Sequence, residues 1–417
     1  MIWLIGKAGM LGTDLGRAFT EAGLAWVGTD REVDFTDPQA LEAFSAGKKI
    51  DWVVNCAAYT SVDKAEDEPA VCRKLNVEGP AHLARWSQAH GAAVIHISTD
   101  YVFPGTGNTP YRETDPVGPD GIYGATKADG EEVVRTLCPR HYILRTAWLY
   151  GVNGPNFIYT MLRLMASKDS LGVVADQWGA PTWTIDLARV LVELIRRGEG
   201  PWGTYHASGE GKCNWHQFAE AILEEGRSLG LLDAAKAVAV NALTTEQYPT
   251  KAKRPAWSVM SKDKLKSTFG LTFPQWRESL QGFMGQLASL KEERMILRGH
   301  VEYDLKTAQS MMDSGRYLYV AHCCQQAVEK SLKALATLVK APRRIHDLVV
   351  LAGETGMTFS DPEARLFAEL TVCYLPGRYE EAVETLNLKL NAERTQAIMS
   401  ETEALCLRLS KHPAYYL

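Results

Sequence analysis

Tyr123-Gly124-Ala125-Thr126-Lys127 sets a phenol and an ammonium four residues apart, so on a helix they share one face. Such a pair can deliver a proton. A ketone reduced by hydride needs a proton at its oxygen, and a tyrosine supplies one well when a nearby cation stabilises the phenolate left behind. Ile97-Ser98-Thr99-Asp100-Tyr101 adds hydroxyls at the end of an apolar run. Side chains alternate along a strand, so only one of Ser98 and Thr99 can easily face a substrate. Hydroxyl, phenol and ammonium together form a donor set around a carbonyl oxygen that turns negative in the transition state. By itself the Tyr-x-x-x-Lys spacing arises often by chance; its weight comes from the company it keeps.

That company includes Gly6-Lys7-Ala8-Gly9-Met10-Leu11-Gly12, between the first apolar run and a helix that carries Leu15, Ala18 and Phe19 inward. Glycines there allow a tight strand-to-helix turn, close approach of backbone N–H groups to a pyrophosphate, and tight packing of helix on strand. The positive end of the helix dipole then faces the phosphates. About 20 residues on, where such folds read the adenosine ribose, stand Asp30-Arg31. Asp30 would accept from a 2′-hydroxyl and favour NADH, whereas Arg31 would pair with a 2′-phosphate and favour NADPH. Either cofactor, NADPH or NADH, is expected to be usable.

These groups must be positioned by the elements around them. Short apolar runs at 2–5, 25–28, 52–55, 94–98 and 142–146 alternate with helical stretches, the signature of a parallel sheet covered by helices. The pattern continues less regularly with a run at 171–174, a helix over 184–197, a run near Tyr205 and a helix over 215–228. These read as the last sheet strands interleaved with a smaller substrate-binding lobe. From about 289–300 onward everything reads as helix. The clearest helix, 317–339, places Leu318, Ala321, Cys324, Val328, Leu332, Leu335 and Val339 on one apolar stripe, with Gln325, Glu329, Lys330 and Lys333 on the other face. Further helices are expected at 362–374 and 380–411. The predicted fold class is α/β: a Rossmann-type doubly wound parallel sheet with a small substrate-binding lobe, followed by an all-α helical bundle. The predicted domains are 1–290, with the lobe mainly in 150–290, and 297–417.

Bulk properties narrow the field. At 417 residues the chain is too long for one ordinary core, and no segment approaches the roughly 18 consecutive apolar residues of a membrane span. The start Met1-Ile2-Trp3-Leu4-Ile5-Gly6 enters an apolar run without a basic leader, so a cytoplasmic location is expected. Eight cysteines are scattered without metal-ligand spacing and read as buried, reduced thiols; no metal is expected. The formal net charge of −5 argues against nucleic acid as a partner.

The residues resemble the extended short-chain dehydrogenases, and among them the dTDP-4-dehydrorhamnose reductases, over about 1–288. The resemblance is carried by Gly6 to Gly12, by 51–66 (DWVVNCAAYTSVDKAE), 96–105 (HISTDYVFPG), 123–127, 145–150 (RTAWLY), 176–182 (DQWGAPT) and Arg254-Pro255. It implies Thr99, Tyr123 and Lys127 as the catalytic trio, with Tyr123 and Lys127 also touching the cofactor. It further implies that the Cys56-Ala57-Ala58-Tyr59 backbone follows the nicotinamide side and that Asp34-Phe35 lies near the adenine. For a sugar-nucleotide substrate it points to Asp100, Tyr101, Tyr123 and Trp148 around the hexulose and Arg254 near the diphosphate; Trp148 read on its own is as readily a core residue. The chain departs from the family at Trp257-Ser258, where Asn-Ser is common, and at Ile185, where some members carry an acid toward magnesium. The tail resembles the HEPN domain through 317–321, Gln325 to Lys330, Lys333-Ala334, His346-Asp347-Leu348 and Arg378-Tyr379. HEPN domains commonly pair, which implies a homodimer through the tail. The resemblance implies reduction of the C4 ketone of dTDP-6-deoxy-L-lyxo-4-hexulose to dTDP-L-rhamnose. The rival readings are a reductase or epimerase on another nucleotide sugar, and a non-catalytic cofactor-binding regulatory subunit. An intact trio speaks against the last, because binding alone would not need all three.

Overall fold

The structure, a computed structural model, describes residues 1–336, 345–355, 357–374 and 390–411. Its chain folds into two compact units, Met1–Met284 and Gly285–Leu417.

The first unit is built on a six-stranded, wholly parallel sheet whose strands lie in the order Gly203–His206, His141–Thr146, Ala93–Thr99, Trp52–Asn55, Ile2–Ile5, Trp26–Thr29. These strands are short and apolar throughout because both faces are covered. Ile2 and Leu4 turn to one face, where they meet Leu11, Leu15 and Phe19 of the helix Met10–Glu21 and Leu187, Leu191 and Leu194 of the helix Thr184–Arg197. Trp3 and Ile5 turn to the other, against Leu83 and Trp86 of the helix Gly79–His90 and Val134 of the helix Ile122–Leu137. Strand order reverses at Ile2–Ile5, which has a neighbour from later in the chain on each side. A crevice at the C-terminal strand ends is expected there.

The run at 171–174 does not join this sheet. It forms the strand Ser170–Val174, paired in parallel with Ala239–Leu243 in a separate two-stranded sheet of the lobe. The sixth strand of the main sheet is the run at Tyr205 instead.

The second unit is helical among the described residues. It comprises the greater part of the helix Trp276–Asp313, which runs unbroken through 289–300, followed by Tyr317–Ala336, Leu348–Glu354, Asp361–Thr371 and Ala392–Ser410. Ser360 and Glu363 close a capping box at the start of Asp361–Thr371, fixing where that helix begins. Leu318, Ala321, Cys324, Val328, Leu332 and Leu335 are buried as the stripe requires. Gln325 and Glu329, expected on the solvent face, are buried too. Glu329 is satisfied there by Gln325, Lys333 and the His346 ring, so burial does not strand its charge. Val339, Arg378-Tyr379 and the first part of 380–411 lie outside the described residues.

Candidate active site

Five groups expected to do chemistry sit at the C-terminal ends of five adjacent strands. The glycine turn follows Ile2–Ile5, Asp30 follows Trp26–Thr29, Cys56 follows Trp52–Asn55, Thr99 closes Ala93–Thr99, and Trp148 lies just beyond His141–Thr146.

The glycines of the turn have separable roles. Gly6 has φ of 80°, and a Cβ on it would lie 2.9 Å from the Ala57 amide nitrogen, so Gly6 lets the turn press against the segment Cys56–Tyr59. A Cβ on Gly12 would lie 2.0 Å from the Gly6 carbonyl oxygen, so Gly12 permits helix-on-turn packing. Gly9 meets only the Gly6 oxygen, at 3.3 Å, and leaves space above the helix start. No side chain caps the helix Met10–Glu21, so its first amides point outward toward any anion at that end. Buried Leu11 anchors the first turn, and Met10 lies beside Gly151. These features fit a dinucleotide pyrophosphate.

Asp30 is partly committed to the turn itself: Oδ2 accepts from the Ala8 amide at 3.0 Å and Oδ1 from the Arg31 amide at 3.0 Å. Arg31 is exposed. Asp34 accepts from Thr36 and lies 3.8 Å from Lys74, while the Phe35 ring is buried against Gly79. Cys56 donates its amide to the Ile5 carbonyl, and Ala57 to Asn55 Oδ1. Tyr59 is held by a residue that sequence reading missed. Asn76 accepts from the Tyr59 amide at 2.8 Å and donates to the Tyr59 carbonyl at 3.1 Å and to Thr126 Oγ1 at 3.2 Å. It sits in a π-helical turn, Lys74–Glu78, a form that hydrophobic spacing does not reveal and that is frequent at functional sites.

The helix bearing Tyr123 and Lys127 is pressed onto the strand ends through two glycines. A Cβ on Gly124 would fall 2.3 Å from the Tyr101 carbonyl oxygen, and one on Gly130 would fall 2.2 Å from that of Asn76. The structure separates the two hydroxyls. Ser98 turns away and donates to Glu131 Oε1 at 2.6 Å, whereas Thr99 donates to Asp100 Oδ1 at 3.0 Å and lies against the Tyr123 hydroxyl. Burial pushes the Tyr123 phenol up to about 12, with the Thr99 hydrogen bond easing the shift and the Asp100 charge adding to it. Lys127, 2% exposed, donates to the Ile97 carbonyl at 2.6 Å. Burial brings its ammonium down to about 8, with Glu131 resisting. Asp100 is pushed up to about 6 by burial, against hydrogen bonds from Ser258 and Thr99. Tyr101 packs edge-on to Tyr123 with ring centroids 5.6 Å apart.

Trp148 is a half-buried residue whose backbone has φ of 45°, a conformation that costs a bulky side chain about 1–3 kcal/mol. Its ring stacks on Trp215, centroids 3.5 Å apart, a second residue that sequence reading missed. Trp148 is thus neither fully buried nor in a relaxed backbone conformation. Trp257, the departure from the family pattern, is 8% exposed and packs in a lobe core with Phe103, Tyr111 and Met260, its indole donating to the Thr109 carbonyl at 2.8 Å. Arg254 is held bidentately by Asp63, at 2.7 and 3.1 Å, which keeps the Asp63 carboxyl below the usual range. None of the eight cysteines is in a disulfide; Cys56 and Cys323 are only half-buried.

The family described as RmlD substrate binding domain matches residues 1–289, and the HEPN domain matches residues 297–409. The dTDP-4-dehydrorhamnose reductase of Aggregatibacter actinomycetemcomitans is 40% identical over 284 residues, which are 67% of this chain and 96% of that protein. A crystal structure of such a reductase from Clostridium acetobutylicum is 39% identical, with a TM-score of 0.64 over 69% of this chain and 99% of its own. One from Bacillus anthracis, in complex with NADP, is 34% identical with a TM-score of 0.64 over 68% and 98%. Over its first 289 residues the chain belongs to the RmlD substrate binding domain family, that of the dTDP-4-dehydrorhamnose reductases, and it carries a C-terminal HEPN domain.

Proposed function

We propose that residues 1–289 reduce the C4 ketone of dTDP-6-deoxy-L-lyxo-4-hexulose to dTDP-L-rhamnose, with NADPH or NADH as reductant. The observation that carries this reading is the meeting of Thr99, Tyr123 and Lys127 at the C-terminal strand ends, beside a glycine turn open to a pyrophosphate. A bound nicotinamide supplies the hydride. The Tyr123 hydroxyl gives its proton to the ketone oxygen, which is more basic than the phenolate once it carries the alkoxide charge. Thr99 donates to the same oxygen, and the Lys127 ammonium lowers the cost of the tyrosinate. Asp100, Tyr101 and Trp148 border the hexulose, and Arg254 turns to the diphosphate. Oxidation of NAD(P)H that depends on the dTDP-ketosugar tests this; no oxidation with that sugar but turnover of another nucleotide ketosugar would move the assignment within the family.

Cofactor choice falls to the end of the second strand. Arg31→Ala should shift preference from NADPH toward NADH by about tenfold, the worth of one charge-assisted hydrogen bond. Asp30→Ala should shift it the other way and also weaken both cofactors, because the Ala8 amide loses its acceptor. Paired kcat/KM values decide. An unchanged ratio in both variants means that neither side chain reaches the ribose.

The tail we read as a separable pairing module. Tyr303 is 70% exposed, Leu407 57% and Met295 55%, apolar side chains on its helices that pairing would cover. A chain ending at Leu290 should fold, reduce the ketosugar and scatter light as a smaller assembly than the full protein. An unfolded or inactive product would make the tail an integral part of the reductase, and an assembly of unchanged size would place pairing elsewhere.

A further inference from the structure

Tyr123, Lys127 and Glu131 recur every four residues along the helix Ile122–Leu137, so one stripe carries a phenol, an ammonium and a carboxylate. Glu131 is 1% exposed and its carboxylate is fully engaged. Oε1 accepts from Ser98 Oγ at 2.6 Å and Arg145 Nε at 2.9 Å, and Oε2 accepts from Arg145 Nη2 at 2.7 Å. Arg135 approaches from the rim at 3.6 Å. Arg145 is itself 3% exposed. A buried ion pair of this kind is poorly explained by stability, since desolvation offsets much of its attraction and apolar residues of equal volume often serve as well. Its placement suggests another use. It ties together the strand Ala93–Thr99, the helix Ile122–Leu137 and the strand His141–Thr146, the three elements that carry or border the proton relay.

Strand alternation gives that tie a consequence. Ser98 and Thr99 must point to opposite sides, so holding the Ser98 hydroxyl on Glu131 fixes Thr99 on the side of Tyr123. We propose that Glu131 is a positioning residue for the relay: through Ser98 it aims Thr99 at Tyr123, and it sets a negative charge one helical turn from Lys127. This rests on the reading of Thr99, Tyr123 and Lys127 as the relay.

The electrostatic part is specific. Lys127 is faced by Glu131 from its own helix, by Cys72 from the helix Pro69–Arg73, by Cys56 from the turn after Trp52–Asn55, and by His96 from the central strand. Of these, Glu131 is the largest influence opposing desolvation. Behind Glu131, Arg145 approaches His206 at 3.5 Å, with Glu113, Lys262 and Lys264 beyond it. The two thiols and the imidazole are uncharged in the folded protein near neutral pH, since burial raises the thiols and lowers His96.

The test is the pH dependence of ketosugar reduction by the full chain. The wild type should lose kcat/KM as pH rises through about 8, where Lys127 gives up its proton. Glu131→Gln keeps the shape and removes the charge, so the alkaline limb should move to lower pH by at least about 0.5 unit, together with a fall in kcat. Should that variant not fold, Glu131→Asp, which draws the carboxylate back by one methylene, should move the limb in the same direction by less. Ser98→Ala keeps the charge and removes the tie, so the limb should stay and kcat should fall about tenfold, in the range expected for misaimed catalytic groups. A limb that superimposes on the wild type in the folded Glu131 variant, or wild-type kcat in Ser98→Ala, overturns the proposal. The relay reading fails separately: an active Tyr123→Phe variant would sink both, whereas an inactive one with an unmoved limb in the Glu131 variant would sink only this inference.

Discussion

Tyr123→Phe should lower kcat by about 10²- to 10⁴-fold, the usual worth of a general acid, and leave NADPH affinity nearly unchanged. The ring is retained, so its edge-on contact with Tyr101 and the close seat of Gly124 on the Tyr101 carbonyl persist. Only the hydroxyl is removed, and with it the proton for the ketone oxygen. Thr99 cannot replace it, because an aliphatic hydroxyl is a far weaker acid than a phenol and can only hydrogen-bond to the oxygen. Steady-state kinetics with the ketosugar and fluorescence titration with NADPH read the two effects independently. A variant retaining more than half of wild-type kcat would remove Tyr123 from the mechanism.

Gly12→Ala should act on binding rather than on chemistry. The added methyl would stand 2.0 Å from the Gly6 carbonyl oxygen and 3.0 Å from the Lys7 Cα, both backbone atoms that no side-chain rotation can clear. Either the turn or the helix Met10–Glu21 must move, and overpacking of this kind typically costs about 1–3 kcal/mol. Any retreat of the helix withdraws its first amides from the phosphates, so NADPH affinity should fall by about 100-fold if most of such a cost lands on the bound state. The melting temperature should fall as well, since the helix also packs Leu15 and Phe19 into the core. Wild-type affinity in Gly12→Ala would mean that the pyrophosphate sits elsewhere. The same change at Gly9, where a Cβ meets only one oxygen at 3.3 Å, should spare stability and weaken only the cofactor.

What the sequence made legible follows from what local pattern can encode. Doubly covered parallel strands are continuous apolar runs, so 2–5 and 52–55 were read to the residue. The glycine turn and the Tyr-x-x-x-Lys face are local too. The strand Ala239–Leu243 escaped notice because it is largely exposed and its partner lies about 70 residues earlier. Asn76 escaped because a π turn has no period to recognise. Which of Ser98 and Thr99 faces the site depended on Glu131, 33 residues on, and Gln325 and Glu329 were placed on the solvent side because charge and amide are usually exposed. The change of character at 289–300 was a change of composition, with no break in the helix that spans it.

The contact between Trp148 and position 179 reaches beyond catalysis. A Cβ at Gly179 would come within 2.5 Å of the Trp148 indole, whose backbone already occupies the left-handed region. The two positions cannot drift separately. While the indole is kept, any side chain at 179 is barred, and once the indole is lost that bar disappears. Homologous sequences should therefore show a covarying pair, with residues larger than glycine at 179 appearing only in lineages that have first given up the ring at 148. Ancestral reconstruction across such a branch should find the change at 148 to be the earlier of the two.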